Sequence, residues 1–223
     1  MKNLYQSHLE NNNIPVFPAF FFPNIEYLIR MSKFDKVIVE AFETYPKQTF
    51  RNRAYIQSSN GKMSINVPII KEKSNRQTSS EVKISYNDNW NVKAFRAICS
   101  AYGKSPFFEY YEDDIKAFFY NKYENLFDLN LDTLSYLKKR FQLKTELIIS
   151  REYIKTDPSI DFRDKFKVNH PNINSHKAPI FKPYIQCFSD KLGFIENLSA
   201  LDILFNIGKE SINYINNSDL NES

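Results

Sequence analysis

Between Ile14 and Val39 the apolar positions change period twice. Ile14 to Phe22 is an apolar run broken by Pro15 and Pro18, the pattern of a short first strand that ends in a turn. Pro23 suits the first turn of a helix, and Ile25, Leu28 and Ile29, with Met31 beside them, form its apolar stripe. Past Phe34 and Asp35, the residues Val37, Ile38 and Val39 predict a short buried strand. A strand, a helix and a strand within about 25 residues is close to the minimum for a parallel βαβ unit. The carboxyl ends of both strands then lie at one edge, where open α/β sheets bind ligands. Phe17 to Phe22 and Glu40 to Lys47 follow those ends.

Farther along, Ala54 to Gln57 and the alternating Met63, Ile65, Val67 and Ile69 flank an Asn60-Gly61 turn, which predicts a hairpin ending at Pro68. Lys71 to Ser80 lacks periodicity and reads as a loop, and Glu81 to Tyr86 as a strand through Val82, Ile84 and Tyr86. Asn89 and Gly103 bracket a helix from Trp90 to Tyr102. Ser105-Pro106 starts another helix, dense in Phe and Tyr, and Leu126 to Phe141 continues helical before a strand at Glu146 to Ile149. Residues 150–183 carry four prolines and little periodicity, which marks an irregular insertion. Tyr184 to Phe188 reads as a last strand. Ser199 with Asp202 resembles a capping box for a helix closed by Gly208. The expected organisation is a loose N-terminus over 1–13, one domain over 14–215, and a disordered tail over 216–223. The fold class is α/β: a small, mostly parallel sheet with an added antiparallel hairpin, flanked by helices in a Rossmann-like three-layer architecture.

The chemistry concentrates in Y-P-K-Q-T-F-R-N-R, Tyr45 to Arg53. Extended from Tyr45 to Gln57, the chain would point Tyr45, Lys47, Thr49, Arg51 and Arg53 to one cationic side, with Phe50, Ala54 and Ile56 on the core side beside Asn52. Guanidinium forks match carboxylate or phosphate two bonds at a time. The plainer readings are an edge strand blunted by charge, or a structural ion network of Lys47, Arg51 and Arg53 with Glu40, Glu43 and Glu109. Glu109 lies among rings that would desolvate it and raise its pKa if it pointed inward, which makes it the candidate base.

Composition narrows the classes. In 223 residues there are 20 Phe and 14 Tyr against one Trp, so the core is built largely from rings. A net charge of +4 gives no argument for nucleic acid. Cys99 and Cys187 are far apart with no zinc or disulfide spacing, which fits a reduced, cytoplasmic setting. His170 and His176 match no zinc spacing or triad and read as surface residues. No apolar run is long enough to span a membrane, and Met1 to Asn13 is too polar for a signal peptide. With only 4 Gly there is no phosphate-cradling glycine loop, and no metal or cofactor is expected.

The order of elements and several motifs resemble the WbqC-like family of bacterial proteins, whose genes lie among those for surface polysaccharide and O-antigen synthesis. The resemblance covers Pro15 to Gly208 and rests on P-x-F-F-F-P with Tyr27, Y-P-K-Q-T-F-R-N-R, Val67-Pro68, Trp90 at a helix start, Tyr102 followed by S-P-F-F-E-Y-Y-E-D-D, and the closing N-L-S-A-L-D-I-L-F-N-I-G. It implies a transferase-type role in activated-sugar or glycan metabolism. Relatives carry His where this sequence has Phe42 and Ala94, and Gln-Pro where it has Phe17-Pro18. The expected ligand is a small anionic donor, such as a nucleotide-sugar or an acyl or aminoacyl donor. Lys47, Arg51 and Arg53 would meet its charge, Gln48 and Asn52 orient it, Tyr45, Trp90 and Tyr102 stack or pack, and Glu109 serve as base. The alternative is a non-catalytic protein that binds a glycan precursor or a partner enzyme of the same pathway.

Overall fold

The computed structural model describes residues 13–47, 49–70, 77–166, 181–218 and 220. The chain begins with the expected βαβ unit: β1 (Val16–Pro18), α1 (Ile25–Met31) and β2 (Lys36–Glu40). Asn24 caps α1, its side chain accepting from the Tyr27 amide, so Pro23 stands just before the cap rather than inside the first turn. A third strand, β5 (Glu146–Ile149), joins β2 on the side away from β1. Both pairings are parallel, Phe17 opposite Val39 and Val37 opposite Leu147. Pro18, Glu40 and Ile149 therefore end at the same side of the sheet.

Period-two alternation divides the sheet between two apolar clusters. Phe17, Val37 and Val39 enter the main core, whereas Val16 and Ile38 join Ile14 in a small cluster on the other face. The main core is aromatic, as the composition requires: Phe17 stacks on Phe162 at 4.3 Å between centroids, and Phe20 meets Tyr27, Phe50 and Phe166. Residues 151–166 form no regular element, yet Val16 exchanges backbone bonds with Ile160 and Phe162, so this segment covers the outer edge of β1.

The hairpin β3 (Arg53–Ser58) and β4 (Gly61–Asn66) is a separate antiparallel sheet, and Gly61 follows Asn60 at φ 107°, a conformation glycine adopts without strain. Helices α2 (Trp90–Tyr102), α3 (Phe108–Tyr120) and α4 (Leu126–Arg140) follow where the periodicity places them. The whole is a mixed α/β fold consistent with the three-layer expectation.

Several local expectations change. Tyr45 to Lys47 and Thr49 to Arg51 are not strand, and regular structure resumes only at Arg53. Glu81 to Tyr86 contributes isolated bridges from Lys83 to Asn125 and from Ile84 to Ile69 instead of a strand. Tyr184 to Phe188 is irregular and leads into a short helix, α5 (Ser189–Leu192). Ser199 does cap α6 (Ala200–Ile207), but Asp202 does not return the bond; its carboxylate is buried elsewhere. A further helix, α7 (Glu210–Asn217), extends past Ile215. His170 and His176 lie outside the described residues.

Gly208 ends α6 at φ 55°, and a Cβ there would stand 2.6 Å from the Phe107 ring. Gly208→Ala therefore meets both a backbone penalty and a clash. We expect chemical denaturation to show a loss of more than about 1 kcal/mol.

Candidate functional site

Two carboxylates are buried where β2 ends. Glu40 is fully buried. Its Oε1 accepts from the Phe42 amide and Ser150 Oγ, and its Oε2 accepts from the Ile154 amide and Arg163 Nη1. Three residues on, Glu43 meets Arg51 face to face: Arg51 Nε and Nη2 donate to its two oxygens, each at 2.6 Å. Ser79 Oγ also donates to Glu43, and Arg51 Nη2 reaches the Arg163 carbonyl. Burial pushes the Glu43 carboxyl above its ordinary range, and the Arg51 guanidinium opposes that rise.

Bonds on either side of this pair hold the flanking chain against the rest of the site. Thr44 bridges Thr78, the Tyr45 amide donates to the Gln77 carbonyl, and the Phe50 carbonyl accepts from the Phe21 amide. Asn130 of α4 completes the enclosure, its Nδ2 donating to the carbonyls of Ala19 at 3.0 Å and Arg51 at 2.7 Å. The result is a cavity of about 10 Å³, room for one water-sized group, lined by Ala19, Tyr45, Arg51, Ser79, Leu126, Phe127 and Asn130. Two buried atoms in this lining, the Tyr45 hydroxyl and Asn130 Oδ1, have no hydrogen-bond partner among the described residues. Burial pushes the Tyr45 hydroxyl up to about 12, while Arg51 and Arg53 are close enough to oppose that.

The residues singled out in the sequence therefore separate. Tyr45 and Arg51 share the pocket. Lys47 is exposed, and Gln48 is outside the described residues. Asn52 Nδ2 donates to the Val67 carbonyl, and the Val67 amide to the Asn52 carbonyl, so Asn52 ties the loop to the end of the hairpin. Arg53 donates to Asn66 Oδ1 at 2.7 Å and to the Tyr55 hydroxyl at 3.2 Å. The single cationic face does not form, because the segment that would have carried it is bent and Arg51 is only 2% exposed. Of the expected ion network, the Arg51–Glu43 pair is present, whereas Glu40 takes Arg163 as its partner.

Trp90 is buried among Phe21, Tyr86 and Phe119. Tyr102 is fully buried, donating to Asp202 at 2.7 Å and accepting from the Gln57 amide. Asp202 also accepts from Tyr184 and Gln186. Glu109 is exposed in the first turn of α3, so the rings around it in sequence do not desolvate it. Phe42 is 39% exposed, and Ala94 is buried in α2. Sequence reasoning missed Asn130, although a polar residue four positions from Leu126 and from Leu134 on an apolar stripe is a usable signal.

A short parallel sheet with a small polar cavity beyond its carboxyl ends defines a mixed α/β domain. The WbqC-like protein family matches residues 19–165, well over half of the chain, and the protein belongs to that family. No curated protein and no solved structure matches it. The closing N-L-S-A-L-D motif lies beyond the matched residues. Among the described residues no helix is long and apolar enough to cross a membrane.

Removing one partner of a buried ion pair strands the other. Arg51→Ala should cost about 3–5 kcal/mol, read as a lowered midpoint in urea. Tyr102→Phe deprives Asp202 of a donor and should cost about 1–3 kcal/mol. Burial raises the Asp202 pKa against the opposing bonds from Tyr184, Tyr102 and Gln186. The fold therefore holds this proton more tightly than the unfolded chain does. The resulting stabilisation is complete below the ordinary value of 3.8 and is lost as pH rises through the folded value. Tyr102→Phe removes a bond that favours the carboxylate, so its cost should be larger near about pH 7 than near about pH 4.

Proposed function

We propose that this protein binds a small anionic donor, such as a nucleotide-sugar or an acyl or aminoacyl donor, beyond the carboxyl ends of its parallel strands, and acts as a transferase-type enzyme of surface-polysaccharide or activated-sugar metabolism in a cytoplasmic setting. The observation that carries this reading is the cationic segment that follows the carboxyl end of β2, where Lys47 is exposed and Arg53 bonds to the neutral Asn66 and Tyr55. Arg51 is neutralised by Glu43, so Lys47 and Arg53 meet the anion in this reading. Neither has a carboxylate partner among the described residues.

One observation favours a second reading, a non-catalytic protein that binds a glycan precursor or a pathway enzyme. Glu109 is exposed on α3, and Glu43 is held by Arg51 and Ser79, so neither carboxylate is presented as a free base. Both readings share the binding step and differ in turnover.

Ligands that bind only the folded state raise its melting temperature. UDP-glucose, acetyl-CoA and inorganic phosphate should be screened against the wild type, Lys47→Ala and Arg53→Ala. At least one of these anions should stabilise the wild type, and each substitution should weaken that ligand about tenfold without lowering the ligand-free melting temperature appreciably. Equal shifts in all three proteins, or no shift at all, would remove the anion-binding reading. Consumption of the bound donor, followed by chromatography, separates transferase from binder.

A further inference from the structure

The outer face of the hairpin holds two cations on one tyrosine. Alternation sends Ala54, Ile56 and Ile65 into the core and turns Arg53 and Tyr55 of β3, with Lys62, Ser64 and Asn66 of β4, to the opposite face. The pairing sets Arg53 opposite Asn66 and Tyr55 opposite Ser64, with Lys62 diagonal to Tyr55. Arg53 Nη1 donates to the Tyr55 hydroxyl at 3.2 Å, and Lys62 Nζ stands 4.6 Å from the centre of the same ring. One side chain thus separates the two charges. Lys62, Ser64 and Asn66 are exposed and Arg53 and Tyr55 half-buried, so the face is open to a ligand.

Neither charge is answered there by a carboxylate among the described residues. Arg53 Nε donates to Asn66 Oδ1, whose Nδ2 donates in turn to Ser64 Oγ, so neutral acceptors hold the guanidinium in place. The two hydrogens on its Nη2 have no partner among the described residues. Lys62 gives up part of its hydration to the fold, and burial lowers its pKa, while Glu196 opposes that shift without forming an ion pair. Leaving a cation partly desolvated and unpaired is costly, and an arriving anion removes that cost. A diphosphate carries negative charge on each phosphorus, and so offers one group to the Arg53 fork and one to the Lys62 ammonium.

We propose that the hairpin face of Arg53, Tyr55 and Lys62 binds the diphosphate group of the donor, with Arg53 on one phosphate and Lys62 on the other. The inference rests on the binding reading above and adds Lys62 to its residues. From the classes named there it selects the diphosphate-bearing donors, nucleotide-sugars and acyl-CoA, over aminoacyl donors.

Calorimetry with inorganic phosphate, pyrophosphate, UDP-glucose and acetyl-CoA tests this on the wild type, Arg53→Gln, Lys62→Gln and Lys62→Arg. Lys139→Gln, which removes an exposed charge near the end of α4, controls for net charge alone. The wild type should bind pyrophosphate about tenfold more tightly than phosphate, and Arg53→Gln and Lys62→Gln should each weaken pyrophosphate about tenfold and remove most of that preference. Both alter the outer face only and should leave the ligand-free melting temperature close to that of the wild type. Lys62→Arg keeps the charge and should keep most of the affinity, and Lys139→Gln should bind as the wild type does. Whichever of UDP-glucose and acetyl-CoA loses affinity in the same variants is the source of the diphosphate. If Arg53→Gln weakens pyrophosphate while Lys62→Gln does not, or if pyrophosphate binds no better than phosphate, the hairpin site is overturned while anion binding stands. Equal losses in Lys62→Gln and Lys139→Gln would reduce the effect to overall charge and overturn the site too. If none of the four ligands binds, both readings fall.

Discussion

Glu43 and Arg51 meet in a two-bonded pair that is almost wholly removed from solvent, and the arrangement of the site follows from it. Desolvating two charges is costly, and their mutual attraction compensates only when geometry is good and the remaining bonding capacity is met. Here the Ser79 hydroxyl adds a third bond to the carboxylate, and the Arg163 carbonyl takes a further guanidinium hydrogen. Such a pair is weak evidence for stability, and removing either member would leave a buried charge uncompensated. It holds Arg51 against the chain that follows β2, and Tyr45, Arg51 and Asn130 of α4 line the same small cavity.

Around that pair the core is organised by rings, which pack at fixed centroid distances and leave few alternatives. The loop after β1 places Phe20 toward Tyr27, Phe50 and Phe166, and the next residues, Phe21 and Phe22, toward Phe119 of α3. Several polar groups enter this core with partners. Tyr27 donates to the Pro18 carbonyl, and Asp202 gathers two tyrosines and Gln186. Tyr102 and Asp202 join α2 to α6, while Gln57 ties β3 to the same group through its amide. The hairpin, which shares no strand pairing with the parallel sheet, is fixed to the helices by these bonds and by the apolar contacts of Ala54, Ile56 and Ile65.

What could be read from the sequence follows from the range of the forces involved. The βαβ unit, the hairpin and helices α2 and α4 depend on local periodicity and on punctuation such as Asn60-Gly61 and Gly103, all present within a short window. The segment from Tyr45 to Arg51 has a strand-like alternation, but the Glu43–Arg51 bond across eight residues and the bridge from Thr44 to Thr78 override it. Asp202 is the clearest case of a local motif diverted. Ser199 caps α6 as its spacing suggests, while the acid that should complete the box is claimed by Tyr102, a hundred residues away in sequence. Arg163 carries no local signal at all, since it lies in an irregular segment and acquires its role only when that segment packs along β1.

The same distinction separates the two kinds of polar residue near the pocket. Glu40, Glu43, Arg51 and Arg163 bond to one another or to neighbouring groups, and a closed network of this type holds the chain without being available to a ligand. The Tyr45 hydroxyl and Asn130 Oδ1 are buried with no hydrogen-bond partner among the described residues, a condition that folding alone does not favour. Arg51, the most suggestive side chain in the sequence, therefore lines the cavity already paired, while an asparagine in the middle of an apolar helix stripe keeps an acceptor without a partner among the described residues. Here the conspicuous charges are answered within the fold, and the phenol hydroxyl and amide oxygen beside them are exceptions to the rule that buried polar groups are bonded.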